Sequence, residues 1–404
     1  MDVKVTCVGD AMIDGTMVNY LDNYRDSNGK LCFHPVFEPM KNMFSHSDYV
    51  LANLETPITD NEDDYTCKRW EFATAYEFAE ALRDAGVDYV ATANNHCLDR
   101  GIPGLVKTVK CLDRIGLQHS GVDCPGEGKK RLIVDVNGVK IGITSYTYGT
   151  NAFTNGNYLG YRKCRKLVNL IQEQEKALTR FDPFVWYLRR HPSHIVKRIH
   201  NKILNTIWPE NVGKMWYEQT TVGFYRRFLL LRELRDLKKL GADLTAIYLH
   251  VGGQYNEEPN RLTKKTVGWL LKKNCNIIIG NHEHVVHGCV HDLAKNQIAT
   301  YAIGNFLASA GTLHEPYDRY AEYSIAVHLY IDPQKKKLKK VTFSVLVSKH
   351  NENGTYEVWP VIELMSKSEQ ERAAELSRNG LAVAKLFSGK EYTSVQAEFV
   401  LCEV

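Results

Sequence analysis

The stretch IIIGNHEHVVHG (277–288) decides the fold of this 404-residue chain. Its first part is a short apolar run of β-branched residues, which is typical of a buried strand. The run ends at Gly280, and His282 and His284 follow, separated by one residue. Two imidazoles that leave a buried strand together can point into one crevice and bind a metal ion. The stretch therefore predicts a sheet whose strand ends carry a polar site.

Similar runs recur along the chain and predict the rest of the sheet structure. They occupy residues 3–9, 49–53, 87–93, 139–145, 244–250 and 298–304. Segments with helical spacing stand between several of them, at 75–86, 103–116, 228–241 and 261–273. This alternation favours a layered α/β fold. Three later runs, at 323–331, 340–347 and 355–362, predict an antiparallel portion, and 368–380 predicts a last helix.

Polar residues follow several of these strands, where ligands bind in open α/β sheets. The strand ends carry Asp10, Asn53 and Glu55, Asn94 to His96, His250, His282 and His284, and Asn305. Taken singly, each residue is more often a turn former or a helix cap than a ligand. Taken together, carboxylates and imidazoles are the donors that Zn, Mn and Fe prefer. The set predicts a metal site at the strand ends.

The net charge of +4 is unevenly distributed. Residues 151–230 contain 14 Lys/Arg and 5 Asp/Glu, a net of +9, whereas the other 324 residues contain 37 and 42, a net of −5. The same segment holds 13 aromatic residues. A basic, aromatic segment can attract an anionic polymer or lipid headgroups, but a solvated helical insertion has the same composition. The basic run at 335–340 is too short to indicate nucleic-acid binding.

Composition excludes several classes of protein. With 44% hydrophobic and 24% charged residues, the chain has the composition of an ordinary globular protein. No apolar run reaches the ~18 residues of a membrane-spanning helix, and the N-terminus has no signal-like pattern. Ten cysteines are scattered without a CxxC pair, which predicts free thiols in a reducing compartment. We therefore expect a cytoplasmic protein, and its oligomeric state stays open.

Six motifs, in order along the chain, resemble those of the CapA-type poly-γ-glutamate capsule-synthesis family, which is similar to calcineurin-like metallophosphoesterases. They are GDAMIDG, ANLETPIT, ATANNHCLDRG, LHVGGQY, GNHEHVVHG and YAIGNFLAS, and they cover about residues 3–150 and 228–330. The resemblance implies an α/β sandwich of two mixed β-sheets flanked by helices, with a helical insertion. The expected divisions are a family-like domain (1–150 and 228–365), a basic aromatic cap (151–227) and a C-terminal helix and tail (366–404).

The resemblance also implies a centre of two divalent metal ions, with Mn, Fe and Zn as candidates. Matched position by position, the ligands are Asp10, Glu55, Asn95, His250, His282 and His284. Glu55 would bridge the two ions, and the last two histidines would be split between them. His96 matches the residue that donates a proton to the leaving oxygen. Asn53, Asn94, Tyr255, His287 and Asn305 are expected to contact the ligands or the substrate.

Two departures from the family pattern keep the function open. Met12 stands where metallophosphoesterases have a histidine, and the usual His-Trp-Gly-x-Glu-Tyr reads HVGGQY at 250–255. One hypothesis is a metal-dependent hydrolase of phosphoesters, or of amide or ester bonds in an anionic, polyglutamate-like polymer. The alternative is a non-catalytic binding or assembly factor in capsule-polymer synthesis. A third is a peripheral membrane protein held by the basic aromatic segment.

Overall fold

The computed structural model describes residues 1–66, 71–124, 127–159, 161–171, 224–307, 309 and 320–404. Their strands are β1 (Val3–Ala11), β2 (Tyr49–Leu54), β3 (Ile58–Thr59), β4 (Thr74–Ala75), β5 (Tyr89–Ala91), β6 (Gln118–Ser120), β7 (Val122–Cys124), β8 (Glu127–Lys129), β9 (Arg131–Val136), β10 (Val139–Thr147), β11 (Leu244–His250), β12 (Ile277–Asn281), β13 (Cys289–Asp292), β14 (Gln297–Thr300), β15 (Asn305–Leu307), β16 (Tyr323–Asp332), β17 (Lys337–His350), β18 (Tyr356–Pro360) and β19 (Phe399–Glu403).

The α-helices of the same residues are α1 (Gly15–Val18), α2 (His34–Phe37), α3 (Lys41–Ser45), α4 (Tyr76–Asp84), α5 (Gly101–Ile115), α6 (Ala152–Asn155), α7 (Tyr161–Leu167), α8 (Phe224–Lys239), α9 (Arg261–Lys272), α10 (Val361–Lys367) and α11 (Gln370–Ser388). Short 3-10 helices cover Leu21–Tyr24, Glu38–Met40, Glu62–Asp64 and Leu293–Lys295. Each helix that the sequence predicts within these residues is present, and apart from the C-terminal end of the last one the ends are shifted by a few residues.

The fold is built on two mixed β-sheets, as the resemblance of the sequence motifs implies. The larger runs β18-β17-β16-β1-β2-β5-β6, with β15 also paired to β1 and β19 to β17. In it β1, β2, β5 and β6 are parallel, whereas β16, β17 and β18 are antiparallel. The smaller sheet runs β13-β14-β12-β11-β10-β9, and its four central strands are parallel. Buried parallel strands explain why the sequence shows continuous apolar runs here.

The inner faces of the two sheets pack on each other. Val5 and Leu51 of the larger sheet share one buried cluster with Ile141, Ala246 and Ile279 of the smaller sheet. The hydroxyl group of Tyr248 crosses this interface and donates to the carbonyl oxygen of Leu51 at 2.8 Å. Helices cover the outer faces, with α4 and α5 against the larger sheet and α8 and α9 against the smaller one. The result is the predicted sandwich of two mixed sheets flanked by helices.

Strand register places the polar strand ends at one level. Asp10 of β1 lies opposite Asn53 of β2 and Asn305 of β15. In the smaller sheet, His250 of β11 lies between Thr147 of β10 and Asn281 of β12. Because the sheets pack face to face, these two rows of strand ends meet in one crevice.

The C-terminal region differs from the prediction. The last helix does not end at Gly380 but continues to Ser388, where Gly389 adopts a left-handed conformation with φ 71°. Gly380 is a packing position, because a Cβ atom there would lie 3.2 Å from a methyl group of Val361. The tail then forms β19, a strand that the sequence pattern does not predict, paired with β17.

The predicted cap at 151–227 falls largely on residues 172–223, which lie outside the described residues. No helix in the described part of the chain is long and apolar enough to cross a membrane. The nine cysteines of the described ranges are all free thiols.

Candidate metal centre

The crevice between the two sheets brings together the six residues proposed as metal ligands. All six are buried: Asp10, Glu55, Asn95, His250, His282 and His284 each expose 5% of their surface or less. Two overlapping groups form, one of Glu55, His250 and His282, the other of Asp10, Glu55 and His284. Within each group the candidate ligand atoms lie within 4.8 Å of one another. Glu55 belongs to both groups, and His282 and His284 are divided between them.

The first group converges on Nε2 of His250. This atom lies 2.6 Å from Oδ1 of Asn95, 3.1 Å from Nδ1 of His282 and 3.2 Å from Oε1 of Glu55. A ring nitrogen carries at most one proton, so it cannot bond to all three neighbours. Donor atoms from two imidazoles, an amide and a carboxylate thus lie close together, and they make up the donor set of a divalent transition-metal site.

The second group is built around the carboxylate of Asp10. Its two oxygens lie 3.9 Å from Nδ1 of His250 and 3.9 Å from Nδ1 of His284. The Nδ1 atom of His284 lies 2.8 Å from Oδ1 of Asn305, an oxygen that can only accept. Nδ1 therefore carries the proton, and Nε2 keeps its lone pair for a ligand bond, as in many metal-binding histidines.

Burial suppresses charge on the carboxylates of this cluster. Removal from water, with a smaller contribution from the neighbouring Glu55, raises the pKa of Asp10 to about 8. Burial also raises the pKa of Glu55. Among the described residues, the ion-pair partners of Asp10 and Glu55 are histidines alone. Two buried acids that pair only with histidines in the described part of the chain are a place where a bound cation stabilises the ionised forms.

The imidazoles are held neutral by the same burial. Removal from water lowers the pKa of His250 to about 4 and places the pKa of His282 well below its ordinary value. The pKa of His284 is lowered too, again chiefly by burial. Neutral imidazole is the form that binds metal ions.

Unpartnered atoms mark the centre of the cluster. Among the described residues, both carboxylate oxygens of Glu55 and Nε2 of His282 are buried without a hydrogen bond. Buried polar atoms are almost always satisfied, and a bound ion or water molecule is a recognised explanation for exceptions. The residues present thus fit a divalent metal centre.

Neighbouring asparagines fix the candidate ligands. Asn53 donates its side-chain amide to Oδ1 of Asp10 at 2.7 Å. Asn94 donates to the carbonyl oxygen of Leu54 at 2.6 Å and so holds the chain just before Glu55. Together with Asn305 on His284, these contacts place three of the five predicted supporting residues around the cluster.

His96 lies at the edge of the cluster. Its Nε2 atom is 4.0 Å from Oε1 of Glu55, and its ring stacks on Phe72 at 4.0 Å between centroids. Nδ1 is 2.6 Å from Oδ2 of Asp99. Burial alone would lower the pKa of His96, but the carboxylates of Asp99, Glu55 and Asp10 together outweigh it, so the pKa is raised. His96 is therefore oriented with its Nε2 atom toward the crevice.

The other two predicted contact residues are Tyr255, in the loop that follows β11, and His287, in the turn that follows β12. The Tyr255 ring lies 5.4 Å from the His284 ring. The Nε2 atom of His287 donates to the carbonyl oxygen of Asn256 at 2.8 Å. His287 thus contacts this loop, whereas Tyr255 lies beside a candidate ligand.

Three buried residues of this region escape the sequence analysis. Asp99 orients His96, and Glu283 accepts the backbone N–H of Gly253 at 2.9 Å. Asn281 is buried with both side-chain polar atoms unpartnered among the described residues. The spacing His-x-x-Asp at 96–99 is the one signal that could have indicated Asp99. Asn281 and Glu283 stand in the GNHEH motif, in which the sequence indicates a role for the two histidines only.

Comparisons with known proteins bear on these motifs. The family model described as bacterial capsule synthesis protein PGA_cap matches residues 4–310. The capsule biosynthesis protein CapA of Bacillus anthracis is 23% identical over 313 residues, which are 76% of this chain and 60% of that protein. The PGA biosynthesis protein CapA of Bacillus subtilis (strain 168) is 22% identical over 315 residues, 76% of this chain and 64% of that protein. The chain thus spans under two thirds of these relatives.

Solved structures give more distant matches. A novel phosphatase from Mycoplasma pneumoniae aligns with a TM-score of 0.42 at 14% identity, covering 86% of this chain and 94% of that one. The sulfate thiohydrolase SoxB of Thermus thermophilus aligns with a TM-score of 0.39 at 10% identity, covering 95% of this chain and 60% of that one.

Proposed function

The chain belongs to the bacterial capsule synthesis protein PGA_cap family, and from the site that its motifs form we propose that it is a metal-dependent hydrolase. Its substrate is a phosphoester, or an amide or ester bond of an anionic polymer. Two divalent ions, of Mn, Fe or Zn, are its cofactors. Asp10, Glu55, Asn95, His250, His282 and His284 hold them, and His96 acts as the proton donor.

One observation carries the proposal: the two groups of candidate ligand atoms share the buried carboxylate of Glu55, whose oxygens have no hydrogen-bond partner among the described residues. Buried polar atoms are almost always satisfied, so a buried carboxylate of this kind favours a bound cation. A carboxylate that belongs to both groups would serve as a ligand in either of them. The neutral imidazoles on either side complete the donor set.

Divalent ions held by these residues would supply Lewis acidity and a water molecule of lowered pKa. Side chains of the protein would hold the ligands in position and exclude water. Asn53 holds Asp10, and Asn305 holds His284 in the tautomer that leaves Nε2 free. Burial excludes bulk water from the crevice, which strengthens every electrostatic contact with the reacting group.

In the proposed reaction, His96 would protonate a leaving oxygen. Asp99 binds its Nδ1 atom, so a proton on Nε2 is directed toward the crevice. Asp99 is itself fixed, because Phe72 donates its backbone N–H to Oδ2 at 2.7 Å and Asn155 donates its side-chain amide to Oδ1 at 3.0 Å. General acid catalysis of this kind contributes about 10² to 10⁴ in rate. We assign Asp99 as the positioning residue for His96.

A second candidate function has one observation in its favour. Met12, which stands where metallophosphoesterases have a histidine, is buried, and the second ligand group contains a single imidazole, that of His284. A site with fewer nitrogen donors holds its ion less tightly. A protein that binds a capsule polymer without turnover would tolerate this loss, whereas a hydrolase needs both ions in place.

Metal analysis combined with turnover separates the two functions. The purified protein, loaded with Mn²⁺, would be assayed on bis-p-nitrophenyl phosphate, p-nitrophenyl phosphate and poly-γ-glutamate, with chelator-treated protein as the control. The hydrolase proposal expects turnover of at least one substrate that chelation removes and Mn²⁺ restores. Bound metal with no turnover on any of them, together with retained polymer binding, would favour the non-catalytic function.

A further inference from the structure

The loop after β11 has an unusual backbone. Gln254 and Tyr255 are consecutive non-glycine residues with left-handed conformations, at φ 61° and φ 55°. Such conformations are sparsely populated and persist where the surrounding structure enforces them. Both side chains are half-buried, whereas the ligand His284 beneath them is buried. Contacts with other segments therefore hold the loop in this conformation.

Glu283 is the residue that holds it. Its side chain is fully buried, and Oε1 accepts the backbone N–H of Gly253 at 2.9 Å. Oε2 accepts the side-chain amide of Asn256 at 3.3 Å, and the Glu283 carbonyl oxygen accepts the N–H of Tyr255 at 2.8 Å. Gly252 lets the carboxylate approach, since a Cβ atom there would lie 2.3 Å from Oε1.

A second bond ties the same two segments. His287, four residues after Glu283, donates Nε2 to the carbonyl oxygen of Asn256 at 2.8 Å. The turn that carries the two candidate histidine ligands and the loop at 252–256 thus form one unit. In that unit the Gln254 amide nitrogen lies 3.5 Å from Nε2 of His284, and the Tyr255 ring lies beside the same imidazole.

We propose that Glu283 is a positioning residue: its carboxylate clamps the loop at 252–256 so that Gln254 and Tyr255 form the wall of the site beside His284 and contact the substrate. Glu283 itself touches neither metal nor substrate. The clamp stands on the contacts above, whereas the substrate contact rests on the proposed hydrolase function. The wall offers an amide and a phenol, which bind a substrate's polar atoms through neutral hydrogen bonds.

Glu283→Ala tests the clamp without relying on activity. Hydrogen exchange of the loop peptide, measured on Mn²⁺-loaded full-length protein, should accelerate about tenfold, because the loop loses the contacts that keep it closed. Bound Mn²⁺ should stay at the wild-type stoichiometry. If the wild-type protein turns over a substrate, KM should rise about tenfold in Glu283→Ala and kcat should fall less, because Gln254 and Tyr255 bind substrate and take no part in the chemical step. Glu283→Gln keeps one acceptor and should restore part of the protection.

Glu233→Ala is the matched control, because Glu233 is a buried acid on α8 whose ion-pair partner is Arg131 of β9 and not the loop at 252–256. It should leave exchange of the loop unchanged. If Glu283→Ala does not fold, Asn256→Ala removes one arm of the clamp and should still accelerate exchange.

The proposal would be overturned if the hydrogen-exchange rate of the loop peptide, in whichever variant folds, stayed within twofold of the wild-type rate. Loss of Mn²⁺ in parallel with loop protection would overturn it too, because Glu283 would then support the ligands themselves. Absence of turnover in the wild-type protein would count against the hydrolase function alone, since the exchange and metal measurements do not depend on it.

Discussion

Replacing Glu55 with glutamine should change stability in opposite directions with and without metal. The substitution keeps the shape of the side chain and removes its charge. In the metal-free protein, Glu55 and Asp10 are buried acids whose candidate ligand atoms lie within 4.8 Å of each other. Two unit charges at about 4 Å repel by about 4 kcal/mol at an effective dielectric constant of about 20.

Part of this repulsion is already relieved in the wild-type protein, because Asp10, with its pKa raised to about 8, is largely protonated at neutral pH. We therefore expect Glu55→Gln to raise the free energy of unfolding of the metal-free protein by about 1 to 2 kcal/mol. A carboxylate with a structural role would give the opposite sign, since its removal would leave its partners unsatisfied.

Metal should reverse the effect. An ion present at 100 times its dissociation constant stabilises the folded state by about 2.7 kcal/mol. If Glu55→Gln weakens binding about 100-fold, the same ion concentration contributes only about 0.4 kcal/mol. Urea unfolding in chelator and in Mn²⁺ measures both numbers, and Glu233→Gln, a buried acid paired with Arg131, serves as the control. Loss of stability without metal, or an unchanged gain on adding Mn²⁺, would refute the reasoning.

Three further predictions concern single side chains. His282→Ala should lose bound metal and turnover together, whereas His96→Ala should keep its metal and lose about 10² to 10⁴ in rate. Elemental analysis and steady-state kinetics of both variants distinguish the two outcomes. Full metal content in His282→Ala would contradict the ligand assignment. Asp99→Asn should keep metal and shift the pH profile of kcat, because His96 loses the anion that raises its pKa; an unshifted profile would count against a positioning role. Burial lowers the pKa of His328 from 6.5 to about 3. Between these pH values the unfolded chain binds a proton that the folded chain does not, so the free energy of unfolding falls as the pH drops from about 6.5 to about 3. His328→Gln should reduce this loss of stability, measured by urea unfolding across pH, and an equal slope in both proteins would contradict the assignment.

The layered fold could be predicted from the sequence because local pattern and tertiary environment agree. The runs that became β1, β11 and β12 are buried on both faces, so they are apolar throughout and easily recognised. Where local pattern and packing conflict, the prediction was wrong. Gly380 is a residue type that often ends helices, yet it lies inside α11, where a Cβ atom would lie 3.2 Å from a methyl group of Val361.

The candidate ligands could be found because each stands at the end of a recognisable strand or within a few residues after it. The residues that support them could not, since their roles depend on contacts between distant segments. Glu283 stands between two histidines, and nothing in the sequence shows that it turns away from them toward Gly253, 30 residues earlier. Strand β19 also depends on a distant partner, because it completes the sheet only by pairing with β17.

Anomalous diffraction from crystals of the protein grown with Mn²⁺ tests the central claim most directly. We predict two anomalous peaks in the crevice between the sheets, one bounded by Glu55, His250 and His282, and the other by Asp10, Glu55 and His284, with the Glu55 carboxylate between them. The same data from the Glu55→Gln protein should show weakened or absent peaks. A fully occupied crevice in that variant, or no anomalous peak within ligand distance of His282 in the wild-type protein, would contradict the assignment of a dinuclear metal centre.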